Sequence, residues 1–234
     1  MAFVELLAAI CIFVNAVKGL SALQLSRDLD VQYKTAFVLA HKLREALAAE
    51  VADHELDGEV EIDGAYFGGH IRPANFADDR IDRRLAEHQT GKRRVVVALR
   101  QRKGRTRTFV TMNEAEGVEI AARIVSRKSV VFADEAGHWD RLHQAWIVGR
   151  INHREAYSAD GANTNQVESF FSRLRRMVTG QHHGVSPKYL HQYSAHAAWL
   201  EDHRRRSNGT NAHAVVTNAM AHPVSRVWAG YWQR

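Results

Sequence analysis

The sequence predicts an α/β fold in which a mixed sheet is flanked by helices and preceded by an all-helical module. Residues 1–50 have apolar residues at helical spacing, whereas segments from residue 59 onward alternate as strands do or form short apolar runs. The predicted order in this second part is strand, strand, strand, helix, strand, helix, helix. We therefore expect a helical module at 1–50, a linker at 51–58, a sheet domain at 59–206 and a C-terminal tail at 207–234.

The first 19 residues, MAFVELLAAICIFVNAVKG, are apolar enough to suggest a signal peptide. They lack a basic first region, contain Glu5 and lose their apolar character near Asn15, too early to span a bilayer. We expect a buried helix here, with Cys11 as a small buried residue. Because Cys11 is the one cysteine, an internal disulfide framework and a Cys-based zinc ribbon within this chain are excluded, and an intracellular protein is expected.

Two more helices are predicted in residues 20–50. Ser21 and Gln24 have the spacing of a capping box, and a longer helix follows a turn near Asp30. A helix pair joined by a tight turn indicates a helix-turn-helix, or an ordinary pair of packed helices. In a helix-turn-helix, the residues at the start of the second helix would recognise DNA. They are Gln32, Tyr33 and Lys34.

Residues 59–134 contain the predicted strands. In EVEIDGAYFGG, Val60 and Ile62 alternate with Glu61 and Asp63. RRVVVALRQ and TRTFVTM flank RKGR and predict a hairpin, and SVVFADE is an apolar run typical of a central strand. Helices are predicted from about 115 to 126, from about 163 onward, and from 187 to about 206.

The charge of the chain favours a polyanionic partner, first of all nucleic acid, although the same charge would also serve solubility alone. The formal net charge is +6 and the isoelectric point is near 9.7. Cations are concentrated in GKRRVVVALRQRKGRTR (91–107), which has no acid, so this hairpin is predicted to bind a phosphate backbone. Its cations are Lys92, Arg93, Arg94, Arg100, Arg102, Lys103, Arg105 and Arg107, and Arg173, Arg175 and Arg176 add to the same footprint.

Three acids are candidates for chemistry. Asp63 and Asp134 are expected at strand ends, where a strand holds the carboxylate and a loop admits substrate, although such aspartates also serve as turn formers or helix caps. Glu168 lies about 100° from the centre of the apolar stripe of its predicted helix, directly above Arg175. Asn165 lies about 160° from that centre. Glu168 is therefore either a site residue at the edge of the buried face or a solvated acid of the first turn.

Taken together, the three acids predict a two-metal site. Carboxylates from two strands and a later helix would converge on two divalent cations about 3.5–4 Å apart. Their oxygens suit Mg²⁺ or Mn²⁺. Such a pair activates a water or a 3′-hydroxyl and stabilises the leaving oxygen of a phosphodiester.

Five stretches make the chain similar to a known family. They are GLSALQLSRDLDVQYKTAF, VEIDGAYFGG, VFADEAGHWDRL, INHREAYSADGANTNQVESFFSRLRR and GQHHGVSPKYLHQYSAHAAWLEDHRRR. They cover most of residues 15–206 and resemble the DDE transposases of bacterial insertion sequences, specifically the ISXO-like group. The resemblance implies an RNase-H-like catalytic domain at 59–206, a two-metal mechanism, and cleavage and joining of DNA at the element's ends.

The resemblance also implies roles for particular residues. Asp63 and Asp134 correspond to the first and second catalytic acids and metal ligands. The third is Glu168 or Asn165, because the group has either residue type there. We favour Glu168, which follows Asp134 by 34 residues, close to the usual separation. Arg175 corresponds to the family's lysine and is expected to hold a DNA phosphate.

The family implies partners as well. We expect double-stranded DNA, both element ends and target, no membrane, a homodimer or larger assembly on DNA, and a location at the nucleoid in the bacterial cytoplasm. Members usually begin with a zinc ribbon, which this chain is expected to lack because its cysteine content cannot supply one. Two other functions stay open: a truncated relative that binds DNA through residues 20–48 as a repressor, and a structure-specific nuclease that cuts DNA and never joins it.

Overall fold

The computed structural model describes residues 1–52, 55–68, 74–81, 88, 93–151 and 163–233. The N-terminal helices are α1 (Phe3–Asn15), α2 (Ala22–Asp28) and α3 (Tyr33–Ala52). The central part contains β1 (Glu59–Gly68), β2 (Arg93–Gln101), β3 (Thr106–Thr111), α4 (Glu116–Ile124), β4 (Val130–Asp134), a 3₁₀ helix (Gly137–Gln144) and β5 (Ile147–Ile151). The C-terminal part contains α5 (Asn165–Arg175), a π-helical turn (Arg176–Gln181), α6 (Leu190–His203), α7 (Asn208–Ala221) and a short 3₁₀ helix (Tyr231–Gln233).

The strands form one mixed sheet in the order β3-β2-β1-β4-β5. The predicted hairpin is confirmed, because β2 is antiparallel to β3 and also to β1, whereas β4 and β5 run parallel to β1. The mixed sheet with flanking helices confirms the predicted fold class. The prediction missed β5, which is five residues long, contains Gly149 and Arg150 and exposes 75% of Ile147, so it has no apolar run to reveal it.

Both faces of the sheet are covered. Val95, Val97 and Leu99 of β2 pack on the side of α4 and the 3₁₀ helix 137–144, and the intervening Val96 and Ala98 pack on the side of α5 and α6. Burial on both faces explains the continuous apolar run of β2. In β1 the same alternation places Glu61 and Asp63 on the face covered by α5.

A buried ion pair fixes α5 on the sheet. Glu61, whose side chain is fully buried, accepts hydrogen bonds from the backbone N–H groups of Gln166 (2.8 Å) and Val167 (3.0 Å) at the first turn of α5. Its other oxygen accepts from Nε of Arg102 at 2.9 Å. Arg102 also donates to the carbonyl oxygen of Asn163 at 2.9 Å, just before the helix begins. Glu61 of β1 therefore caps the N-terminus of α5, although it lies outside that helix in the sequence.

The N-terminal helices share a core with the C-terminal ones. Phe13 of α1 and Leu47 of α3 belong to one apolar cluster with Trp199 of α6 and Val215 of α7. Beyond α7, Trp228 is 1% exposed and stacks on His41 of α3, with ring centres 4.2 Å apart. The helical start of the chain is confirmed, whereas the proposed domain boundaries stay a prediction.

Two expectations for α1 are corrected. Its buried face consists of Ala9, Ile10, Phe13 and Val14, so α1 is buried on one side only and Phe3 is 68% exposed. Cys11 lies on the exposed side of α1, because it falls between the positions that face the core. Its thiol is free. Across the described ranges, no helix has the length and apolar character needed to cross a membrane.

Basic side chains are buried where α3, α6 and the π-helical turn meet. Arg44 is 1% exposed, donates to the carbonyl oxygen of Leu20 at 3.0 Å and lies 4.2 Å from the ring centre of Tyr193. His196 is fully buried and stacks on Phe13, and neither of its ring nitrogens has a hydrogen-bond partner in the described part of the chain. Burial lowers the pKa of His196 well below 6.5, and the charges of Arg44 and His182 lower it further.

We expect Glu61→Gln to lower the free energy of unfolding by about 3 kcal/mol, because it removes the fully buried charge that binds both Arg102 and the first turn of α5. Glu59→Gln is the matched control. Glu59 also contacts Arg102, at 2.6 Å, but its side chain is 54% exposed, so a loss below about 1 kcal/mol is expected. Urea unfolding of both variants measures the difference, and equal losses would show that Glu61 is not the anchor of α5.

The buried histidine predicts an acid-sensitive fold. Above the unfolded-state pKa of 6.5, His196 is neutral in both states and does not make the free energy of unfolding depend on pH. Below that pKa the unfolded state binds a proton that the folded state does not, so the free energy of unfolding decreases as the pH is lowered. His196→Phe should remove up to about 2 kcal/mol of the stability loss between pH 7 and pH 5. The exposed His213→Phe is the control and should follow the parent. Urea unfolding at both pH values tests this, and parallel pH profiles for His196→Phe and the parent would contradict it.

Candidate active site

Two of the predicted acids lie side by side on neighbouring parallel strands. Glu61 of β1 pairs with Phe132 of β4, and Asp63 and Asp134 each follow two residues later. Parallel strands are about 4.8 Å apart, and residues two positions on lie on the same face. Asp134 ends β4 as predicted, whereas Asp63 lies in the middle of β1 and not at its end, because β1 continues to Gly68.

Glu168 joins these aspartates from above the sheet. It lies in the first turn of α5, where the buried Thr164 donates its hydroxyl to Glu168 Oε1 at 2.8 Å. The three predicted acids line one cavity of about 260 Å³. Its lining consists of Asp63, Asp134, Thr164, Glu168, Phe171 and Arg175. Asn165, the alternative third residue, is exposed and is not part of this lining.

The electrostatics of the cleft favour a bound cation. The pKa of Asp63 is raised to about 7, mainly by burial and also by the charges of Asp134, Glu114 and Glu168, against the opposing hydrogen bond from the Gly64 N–H. Asp134 is held by the backbone N–H of Ala136 at 3.1 Å. Carboxylates that repel one another at close range are stabilised by a positive ion between them.

Sequence reasoning missed a fourth acid, Glu114. Its side chain lies over Gly64, so close that a Cβ on Gly64 would be 2.5 Å from Glu114 Cγ. Oε2 of Glu114 lies 3.4 Å from Nε2 of His138, and burial and the charge of Asp134 raise the pKa of Glu114. Glu114 follows β3, which lies two strands away from β1, so its distance in sequence from Asp63 gave no reason to place it here. The sequence signal that was available is Gly64, whose lack of a side chain leaves room for Glu114.

The acids fit magnesium chemistry without forming a finished ligand set. In the part of the chain that the structure describes, no three His, Cys, Asp or Glu side chains converge on a single point. Mg²⁺ takes oxygen ligands, binds through one or two carboxylates and keeps several waters. Asp63, Asp134 and Glu168 around one cavity match this requirement.

Arg175 is the cation of the cleft. It lines the same cavity as the acids, and its guanidinium carbon lies 5.9 Å from the ring centre of Phe171. Arg176 points elsewhere, because it donates to the carbonyl and hydroxyl oxygens of Ser172, each at 3.1 Å. Of Arg175 and Arg176, both predicted to bind phosphate, the structure brings Arg175 to the acids.

Three arginines of the cationic hairpin pair with acids from other elements, and phosphate binding by the hairpin stays a prediction. Arg102 is held by Glu61 and Glu59, so we assign it a structural role. Arg100 is 8% exposed and pairs with Asp202. Arg105 lies 3.7 Å from Glu50. The acids come from β1, α3 and α6, which the hairpin sequence could not reveal.

The remaining predicted hairpin cations are less enclosed. Lys103 is exposed at the turn, where its φ is +60°, and the following Gly104 completes the turn. Arg93 lies over Tyr66, with 5.5 Å to the ring centre, and Arg94 donates to the carbonyl oxygen of Arg93. Lys92 lies outside the described residues. Phosphate binding by Arg93, Arg94, Lys103 and Arg105 stays a prediction.

The predicted DNA-recognition residues lie on the surface. Gln32, Tyr33 and Lys34 are exposed where α3 begins, after a turn in which Asp30 has φ +51°. The ammonium of Lys34 lies 5.2 Å from the ring centre of Trp232, so the C-terminal segment borders this surface. Recognition of DNA by these residues stays a prediction.

Comparison with known proteins assigns a family. A search of curated proteins returns no match. A solved structure, titled "Crystal structure of the Mos1 Strand Transfer Complex", is similar with 10% identity and a TM-score of 0.28 over 93% of this chain and 79% of that one, too low a score to support an argument. The family model of the ISXO2-like transposase domain matches residues 55–202, which include the strands, the acids and α5. The chain belongs to the ISXO2-like transposase family.

Proposed function

We propose that this protein is a DDE transposase that cuts DNA at the ends of an insertion sequence and joins the freed 3′ end to a target. The observation that carries the proposal is the acid row of Asp63 and Asp134 on parallel strands, closed by Glu168 above one cavity. Membership of a transposase family supports the same reaction class. The protein would act on double-stranded DNA in the bacterial cytoplasm, as a dimer or larger assembly.

Asp63, Asp134 and Glu168 would hold two Mg²⁺ or Mn²⁺ ions. When bound, these ions supply activation of water or of a 3′-hydroxyl and stabilisation of the leaving oxygen. Glu168 suits the third position better than Asn165, because its carboxylate lines the cavity and is oriented by Thr164. A carboxylate also offers the negative oxygen that Mg²⁺ prefers.

The other residues of the cleft would position the substrate. Arg175 would hold a DNA phosphate beside the acids, since a guanidinium donates two parallel hydrogen bonds to phosphate oxygens. The Glu61–Arg102 pair would hold α5 in a fixed position on the sheet, and it would therefore hold Glu168 and Arg175 in place relative to Asp63. The exposed start of α3, at Gln32 to Lys34, would bind the duplex at a distance from the chemistry.

We expect Asp134→Asn to reduce Mn²⁺-dependent nicking of a supercoiled plasmid, and joining of a 3′-hydroxyl duplex to it, by about 100-fold or more, because a direct metal ligand is lost. Asp140→Asn is the matched control, an aspartate nearby whose side chain is 72% exposed and pairs with Arg150 at 3.2 Å. Its activity should stay within about twofold of the parent, since an exposed ion pair contributes little.

A second pair of variants decides the third position. Glu168→Gln should abolish both reactions, and Asn165→Ala should retain them, with circular dichroism confirming that each variant is folded. The reverse result would assign the third position to Asn165. Nicking without joined product would favour a nuclease, and DNA binding with no divalent-dependent nicking would favour the repressor.

A further inference from the structure

A second cavity, of about 310 Å³, lies away from the acids, between the end of α1, the end of α5, α6 and the start of α7. Its floor is apolar and largely buried, and its rim is cationic. The floor consists of Val14, Met177, Ala197, Trp199 and Leu200. The rim consists of Lys18, Arg173, Arg176, Arg204 and Arg206. The ligand that such a shape accepts has an apolar body and an anionic end.

The rim has more positive charge than its acids neutralise. Glu201 is the one carboxylate in the described lining, and three guanidiniums surround it: Arg173 in direct contact, Arg204 at 3.4 Å and Arg100 at 3.7 Å. Lys18 and Arg206 have no carboxylate partner in the part of the chain described here. The uncompensated cations favour an anion at the mouth of the cavity.

A polar group inside the cavity lacks a partner. Asn211 lines the cavity, is 8% exposed and donates its amide to the carbonyl oxygen of His203 at 3.3 Å. Its own amide oxygen has no hydrogen-bond partner within the described residues. Leaving a buried acceptor unpaired is unfavourable, so a ligand that donates a hydrogen bond is favoured over an acyl chain.

We propose that this cavity binds one nucleotide of a single DNA strand, with the base on the apolar floor, an exocyclic amino group at the Asn211 oxygen and the phosphates against the cationic rim. The inference rests on the proposed function, because α5 connects the two sites. Arg175 lines the acidic cleft, whereas Arg173 and Arg176 line the second cavity. Arg176 lies about 12 Å along the helix axis from Glu168, a distance that a few nucleotides of a strand cover.

The test uses the full chain without divalent metal, so that binding is measured apart from catalysis. Fluorescence anisotropy follows a labelled single-stranded oligonucleotide. Asn208→Trp fills the cavity mouth from the exposed first turn of α7 without changing the charge, and it should weaken binding about tenfold. The duplex of the same sequence, whose bases are paired, should bind this variant and the parent alike.

A second variant tests the rim. Lys18→Ala combined with Arg206→Ala should weaken oligonucleotide binding and reduce the slope of log affinity against log salt by about 1.4, as expected for two lost phosphate contacts to a single strand. Arg123→Ala removes an exposed arginine of α4, on the opposite face of the sheet, and should leave affinity and slope unchanged. Thermal unfolding confirms that each variant is folded.

Three results would overturn the inference: equal affinity of Asn208→Trp and the parent for the oligonucleotide, an Arg123→Ala effect as large as that of the rim variant, or stronger displacement by phosphatidylglycerol vesicles than by unlabelled oligonucleotide. The last result would identify a lipid-binding cavity. If Asn208→Trp binds the oligonucleotide as the parent does, while the parent still joins strands, the proposal for the second cavity alone is contradicted. Intact nucleotide binding with no metal-dependent cleavage contradicts the proposed function alone.

Discussion

The arrangement of the candidate active site depends on the pair of Arg102 and the fully buried Glu61. The two side chains connect four parts of the fold: β1, the end of β2, the first turn of α5, and β4 through the ring of Phe132, whose centre lies 3.9 Å from the guanidinium carbon. A carboxylate at a helix N-terminus satisfies N–H groups that would otherwise lack partners and interacts favourably with the helix dipole. Asp63 and Asp134 follow the paired residues Glu61 and Phe132 by two positions along their strands. The anchor of α5 and the two acids therefore depend on the same register between β1 and β4.

This pairing also separates structural charge from chemical charge. Glu61 lies two residues from Asp63 on the same face, and its carboxylate is paired with Arg102 at 2.9 Å and bound by the first N–H groups of α5. The acids that raise the pKa of Asp63 are Asp134 and Glu168, which line the cavity, and Glu114, whose side chain lies over Gly64. The fold therefore brings several carboxylates close together, and a divalent cation between them would relieve their repulsion.

The sequence predicted what depends on local pattern. The alternation in β1, the apolar run of β4 and the stripe of α5 determined the elements, and therefore where Asp134 and Glu168 would lie. It could not predict what depends on register across the sheet. Glu114 comes close to Asp63 over a glycine from two strands away, and the alternation of β1 gave no sign that Glu61 would cap α5. Cys11 was misassigned for the same reason, because composition does not say which side of α1 meets α7.

The cationic residues show most clearly why charge cannot be located from sequence. The hairpin 91–107 is free of acids along the chain, yet folding brings Glu50, Glu61 and Asp202 to its arginines. The opposite holds where α5, α6 and α1 end, because cations from three separate segments meet there around the single carboxylate of Glu201. A surface that attracts DNA forms where cations outnumber acids in space, since Coulomb interactions and counterion release depend on distances between charges and not on their order in the chain. By this criterion the surplus positive charge lies on the rim of the second cavity, which α5 connects to the cleft where Arg175 stands among the acids.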